Sequence, residues 1–383
     1  MKTAQALIDL DALSHNYLRL KSLSAQQKII AVLKGDAYGH GAVSLAKALP
    51  MADWFAVARV EEAEELIEHG IKQPILLLEG CFCRQDLQRA AELQLTTVIH
   101  CEEQLQDLEQ TTLTHPLHVW LKIDTGMHRL GVTPDQVTDY VQRIEQTGKL
   151  NQPLGFISHF SCADDLAHPA TMKQIECFSQ ATLPYSGAKS LANSAGLLFW
   201  PESHFEVARA GIALYGISPS IYHTGIDHQL LPVMTLTTKL IAVRSHQANQ
   251  PVGYGEIWHA KHDTKIGVIA MGYGDGYPRS APVGTPVFIN GRQVPIVGRV
   301  SMDMITVDLG ADATDKVGDK VEMWGNNLPV ETVAKHIGTI PYELTIKLTQ
   351  RVERQYCGAF LKPNQEKSVR LYPSDLALQV GGQ

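Results

Sequence analysis

The stretch Ile29-Ile30-Ala31-Val32-Leu33-Lys34 is apolar until it meets an amine, and Gly35-Asp36-Ala37-Tyr38-Gly39-His40-Gly41 follows. Such a run reads as a buried strand that ends on a lysine and then turns through glycines. A lysine at the lip of an apolar strand is held partly out of water. Desolvation disfavours its charged form, so Lys34 is available as a nucleophile and a base. The chemistry open to it is a Schiff base with a carbonyl substrate or with pyridoxal phosphate (PLP). A lone strand-end lysine more often just snorkels to solvent. Its neighbours decide.

Later apolar runs end on further reactive groups. Lys122 closes Trp120-Leu121-Lys122-Ile123-Asp124 and Arg129 follows it; His159 sits in Ser158-His159-Phe160; Ser194 follows Asn193; Arg209 leads into Gly211 and Ile212. Ser194 offers a hydroxyl, and the backbone around Gly211 and Ile212 offers sterically open N–H groups, which together suit a phosphate. One rim would then hold an amine, a phosphate cradle, an imidazole and two arginines. That is what PLP requires.

The elements that must gather these residues are short β-rich runs alternating with helical segments from about residue 28 to 216. The runs are Lys28–Lys34, Trp54–Arg59, Pro74–Gly80, Thr96–His100, His118–Asp124, Leu154–Phe160, Lys189–Ser194 and Phe205–Ala210. Between them, Val60–Gly70 has apolar residues at helical spacing, an acidic first turn and a glycine where a C-cap belongs. Eight strand–helix units predict a TIM-type (β/α)₈ barrel, with a doubly wound open sheet as the alternative. In a barrel the chemistry collects at the C-terminal ends of the strands. After Pro232 the texture becomes mainly β, including an Asn290-Gly291 hairpin turn. The division expected is a barrel over 11–230 and a mainly β domain over 231–383. Residues 1–10 form a strand that can pair with the second domain.

The 383 residues carry 33 basic and 40 acidic side chains, a formal −7 with no long run of either sign. Nothing in that balance asks for a nucleic-acid or membrane partner. Asp9 and Asp11 interrupt the N-terminus where a signal peptide needs an apolar core, so a cytoplasmic location is expected. Six scattered cysteines read as free thiols, and no metal-binding spacing is present.

The chain resembles the alanine racemases. The resemblance is carried, in order, by Lys34–Gly41, Lys122–Gly131, Gly155–Phe160, Asn193–Ala195 and Arg209–Gly216. In the second domain it continues through Val252–Gly255, Gly272–Tyr277, Gly298–Met304 and Pro341–Glu343. It departs at Gly35-Asp36, where many members carry Ala-Asn or Ala-Asp, and at Gly253, where Ser is common. Neither change removes a reactive group.

The resemblance implies PLP on Lys34 and a head-to-tail homodimer with shared active sites, acting on alanine. Racemisation takes a proton from one face of the α-carbon and returns one to the other, so a base on each face is the simplest arrangement. By the resemblance these are Lys34 for the D-enantiomer and Tyr254 for the L-enantiomer, the latter assisted through His159 and Arg209. Arg209 would donate to the pyridine nitrogen of PLP and Arg129 to its phenolic oxygen. Tyr38 and Tyr342 would neighbour the phosphate. Lys122 would carry a carbamate that orients Arg129; Arg129 and the Met302 N–H would hold the substrate carboxylate; Tyr273 would narrow the entrance. The physiological role implied is D-alanine for peptidoglycan, or alanine catabolism. Three alternatives stand beside it: a serine or broad-specificity racemase, a non-catalytic PLP-binding carrier, and a cofactor-free barrel aldolase.

Overall fold

The computed structural model describes residues 4–24 and 26–359; the last part of the expected second domain, 360–383, lies outside them. The chain begins with strand β1 (Gln5–Asp9), and the Asp9 carboxylate accepts the Asp11 and Ala12 N–H groups to start the helix Leu10–Leu23. Eight parallel strands then follow: β2 (Lys28–Val32), β3 (Trp54–Val57), β4 (Ile75–Leu77), β5 (Thr96–Ile99), β6 (His118–Lys122), β7 (Gly155–Ile157), β8 (Lys189–Ser190) and β9 (Val207–Ala210). Their order is β8-β7-β6-β5-β4-β3-β2-β9. The gap between β8 and β9 is bridged where the Arg209 N–H donates to Ala192 O at 2.9 Å. Helices or helical turns alternate with the strands, giving the (β/α)₈ barrel predicted from the alternation.

All eight runs are shorter in the ladder than their composition suggests. The first stops at Val32 because the chain reverses its handedness just beyond it. The seventh keeps only Lys189 and Ser190 in the ladder.

The second domain is mainly β: β10 (Met234–His246), β11 (Thr264–Ile269), β12 (Pro286–Ile289), β13 (Arg292–Val297), β14 (Ile305–Asp308), β15 (Lys320–Trp324) and β16 (Glu353–Cys357). The thirteen-residue β10 pairs with β15 near its start and with β11 near its end, so the ladder β10-β11-β14-β13-β12-β15 returns on itself. Register shifts at Leu236/Thr237 and Leu240/Ala242 bend it between those partners. Asn290 and Gly291 both take positive φ in the β12–β13 turn, as a two-residue hairpin requires.

The first and last strands belong to this second sheet. β1 runs antiparallel to β10 and parallel to β16. The barrel's first helix therefore grows out of the other domain's sheet. Glu331, in the helix Val330–Ile337, accepts the Ser218 and Gly225 N–H groups of the connecting segment, each at 2.9 Å. No helix among the described residues is long and apolar enough to cross a membrane.

The domains meet closely at Gly39, where a Cβ would lie 2.1 Å from Thr345 O and φ is +82°. Gly70 has a similar φ of +88° with nothing within 4 Å of its Cβ position. Gly70→Ala therefore reports the dihedral cost alone, roughly 1 kcal/mol, and Gly39→Ala should lose roughly 2–4 kcal/mol. Paired urea unfolding curves measure both; equal losses would show that the Thr345 contact yields freely.

Candidate active site

The C-terminal ends of the barrel strands open into a cavity of about 540 Å³, of a size that takes a cofactor-sized molecule. Lys34, Lys122, Arg129, His159 and Arg209 line it, as do Tyr38, Ser194, Gly211, Ile212 and Tyr342. Residues from both domains form its wall, since Tyr342 and Ile346 belong to the helix Pro341–Ile346.

Lys34 is placed by an unusual turn. Gly35, Asp36, Ala37 and Tyr38 all adopt left-handed helical angles, with φ between 52 and 63°. For L-residues this costs roughly 1–2 kcal/mol each, so Asp36, Ala37 and Tyr38 need compensation. It comes from several directions. Glu62 Oε1 accepts the Gly35 N–H at 2.6 Å, while its Oε2 accepts Ala58 and Arg59. Asp36 Oδ1 accepts the Ala42 N–H at 2.8 Å. From β16, Arg354 Nε donates to Gly39 O at 2.7 Å and its guanidinium lies 3.4 Å from Asp36 Oδ2. Tyr356 Oη donates to His40 O at 3.2 Å. The far end of the chain thus fixes the turn that carries the amine.

Burial draws Lys34 below the usual lysine range; Glu79 opposes this, and Arg129 and Arg209 reinforce it. Lys122 is pushed down to about 8 by burial and by Arg209, Arg129 and Lys34. His159 falls well below the ordinary imidazole range, through burial and the same cations, so it is neutral at pH 7. Burial alone pulls Arg209 to about 10, which still leaves it charged.

Arg209 is held rigidly. One of its terminal nitrogens, Nη1, donates to Ser190 O and Ser190 Oγ at 3.0 and 2.6 Å; Nη2 donates to Ser158 O at 2.6 Å and lies 3.4 Å from His159 Nδ1. Ser194 Oγ accepts the Gly211 and Ala213 N–H groups at 3.0 and 3.2 Å. A Cβ on Gly211 would sit 3.0 Å from Tyr38 Oη and 3.6 Å from Ser194 Oγ, so a side chain there would fill this corner. Tyr38 is pushed up to about 12 by burial, and burial raises Tyr342 further; both phenols stay protonated and can donate.

Tyr254, Met302 and Tyr273 are not brought to this cavity. They lie in the second domain and are 72, 53 and 38 % exposed. The Tyr254 turn is flanked by Gly253 and Gly255, at φ +77 and +74°. Tyr273 and Met302 are neighbours: the Tyr273 N–H donates to Ser301 O and the Gly274 N–H to Met302 O.

Comparison with known proteins agrees with this architecture. The family model described as alanine racemase, N-terminal domain, matches residues 8–219, and that for the C-terminal domain matches 233–356. The chain belongs to the alanine racemase family. It is 55% identical to an alanine racemase of Vibrio cholerae serotype O1, over 94% of this chain and 99% of that protein. The crystal structure of biosynthetic alanine racemase from Pseudomonas aeruginosa superposes with a TM-score of 0.91 at 43% identity, covering 94% of this chain and 100% of that one. An alanine racemase from Bartonella henselae with covalently bound pyridoxal phosphate superposes at 0.83 with 30% identity, covering 93% and 99%.

The cavity of this alanine racemase family member has groups that fit PLP. The buried amine of Lys34 can take the aldehyde. The corner of Ser194, Gly211 and Tyr38 has donors and the open space a phosphate needs. Arg209, braced by three carbonyls and a hydroxyl, can offer an undissociated donor to a ring nitrogen. Sequence reading missed Glu79, Ser190, Arg354 and His40 as contributors. Glu79 ends the third apolar run of the barrel and could have been found by the strand-end rule; the other three act through contacts that spacing does not encode.

His40 packs its ring 4.6 Å from that of Tyr215, and its Nδ1–H donates to Ala37 O and Tyr38 O, both at 3.0 Å. It is wholly buried, and Nε2 has no hydrogen-bond partner among the described residues. Burial depresses it to about 4. Between its unfolded pKa near ~6.5 and that value the unfolded chain binds more protons, so its contribution is complete above ~6.5 and lost as pH falls toward 4. The loss amounts to about 3 kcal/mol. Chemical unfolding from pH 7 to pH 4 should show that much more acid loss in wild type than in His40→Asn; parallel curves would contradict it.

Proposed function

We propose that this protein interconverts L- and D-alanine with pyridoxal phosphate held on Lys34, as a homodimer with shared active sites. The observation that carries this reading is one cavity lined jointly by a buried amine, a Ser194–Gly211 phosphate corner and a fixed Arg209. When bound, PLP supplies the electron sink that makes an amino acid's α-proton removable. Residues 11–230 would bind it and the domain from 231 would supply the opposite base.

In this reading Lys34 takes the proton from D-alanine or returns it to that face. Tyr254 of the partner subunit works on the other face. Its exposure on its own chain, with Tyr273 and Met302, supports delivery to a second copy. Arg209 would donate to the pyridine nitrogen. Because arginine keeps its proton, that nitrogen stays unprotonated, which weakens the sink and limits side reactions. Arg129 would face the phenolic oxygen and, with the Met302 N–H, hold the substrate carboxylate. Lys122, drawn to about 8, presents some neutral amine near pH 7. That amine can add carbon dioxide, releasing one proton and leaving a carbamate anion that attracts Arg129. Membership of a bacterial family named for alanine racemisation supports a role in supplying D-alanine for peptidoglycan.

The test uses purified protein reconstituted with PLP. We expect a visible absorbance band, its covalent trapping on Lys34 by borohydride, and decay of the L-alanine circular dichroism signal. Lys34→Ala and Tyr254→Phe should each lose more than 99% of activity with L-alanine. Mixing the two inactive variants under subunit exchange should restore about one quarter of wild-type activity, because half the dimers are mixed and each has one intact site. Restoration of none would place both bases on one chain. Turnover of serine or lysine in preference to alanine would move the protein to a broader racemase, and a bound cofactor without turnover would make it a carrier.

A further inference from the structure

The cavity at the barrel rim has an uneven charge. Lys34, Lys122, Arg129 and Arg209 line it, and Glu79 is the one acidic side chain among its described lining residues. The Glu79 backbone is fixed: its carbonyl accepts from His100 Nε2 at 3.2 Å and from Gln104 Nε2 at 3.1 Å. Gly80 follows at φ +74°, where a Cβ would meet Val98 O at 2.2 Å, so the turn after β4 has little freedom. Among the described residues no hydrogen bond or ion pair within 4 Å engages the Glu79 carboxylate. A fixed backbone holds an uncommitted anion beside the reactive amine.

We infer that Glu79 is a positioning residue for Lys34, its carboxylate being the counter-charge that stabilises the protonated lysine during turnover. This rests on the racemase reading above. The groups facing Lys34 come from several elements. Glu62 in the helix Val60–Glu68 and Glu79 after β4 favour its charge; Arg129 after β6 and Arg209 on β9 oppose it. Lys122 stands in the same cavity, His159 is neutral there, and the phenols of Tyr38 and Tyr342 are protonated. Glu62 is already committed to three backbone N–H groups. Glu79 also faces Lys122 and His100, but among the described residues no hydrogen bond or ion pair within 4 Å holds its carboxylate. A base that must take a proton in one direction and return it in the other works best when neither state is strongly disfavoured. Burial and two arginines push the proton off; Glu79 counters them.

The sign of the effect follows. Removing the anion makes Lys34 give up its proton at lower pH. In the D-to-L direction Lys34 must start neutral, so the acid limb of kcat should move down. In the L-to-D direction it must start protonated, so the alkaline limb should move down as well. The test is kcat against pH in both directions on PLP-loaded wild type, Glu79→Gln and Glu79→Asp. Glu79→Gln should shift both limbs down by roughly one pH unit, the scale of one nearby charge, while Glu79→Asp stays close to wild type. A residue that only shapes the turn would alter kcat without moving either limb. Superimposable profiles, or a change confined to KM, overturn the inference while leaving the racemase reading intact. Absence of amino-acid racemisation in wild type overturns both.

Discussion

The left-handed turn over Gly35–Tyr38 is the constraint on which the rest depends. It sets aside roughly 3–6 kcal/mol of backbone strain over Asp36, Ala37 and Tyr38, directly after Lys34. Within the barrel, Glu62 and the Asp36 carboxylate offset part of it. Arg354 and Tyr356, from the last described strand, hold Gly39 and His40 by their carbonyls, and Thr345 closes over Gly39. The lysine is therefore in place only when the two domains are docked. The parallel pairing of β16 with β1 ties the strand that carries Arg354 and Tyr356 to the strand that leads into the barrel's first helix.

Electrostatics forms the second layer. Four cations share a partly dry cavity, and the two arginines lower the affinity of both lysines for a proton. The response differs by residue type. Arg209 stays charged and is satisfied by Ser190 and Ser158; His159 becomes neutral; both lysines are drawn below their ordinary range. An arginine at the position of Lys122 would keep its charge and have no such chemistry. The same crowding thus yields fixed donors and labile amines side by side.

Much of the fold was legible in the sequence because burial on both faces writes parallel strands as plain apolar runs, and helical spacing marks what lies between. The Asn290-Gly291 turn was equally plain. Strand ends were harder: Leu191–Asn193 look like strand, yet Ala192 spends its carbonyl on the Arg209 N–H at the barrel's seam. The glycines at 35, 39 and 41 announced a turn, but not its hand. Asp36, Ala37 and Tyr38 have no local reason to be left-handed, and the reason lies some 315 residues away, in Arg354. Within the site, Lys34, Arg209 and Ser194 could be listed from strand ends. Glu79 could have been, and its meaning comes only from the cations around it.

The cavity and the second domain's exposed face answer each other. A buried amine serves one face of a carbon, and the other titratable groups lining the chain's own cavity are Glu79, Lys122, the arginines, a neutral His159 and buried, protonated tyrosines. Tyr254 has the opposite defect: it is solvent-exposed on a turn flanked by glycines, away from the cavity. Ile257, Met304 and Ile340 are exposed in the same domain, and the half-exposed Ile346 lines the cavity. Apolar groups at both ends are what an isologous interface would bury, with each copy giving Tyr254 to the other's cavity. In the proposed dimer, dividing the two bases between chains would also protect the chemistry, since a monomer would hold an amine without its opposing acid and could not complete the exchange of protons.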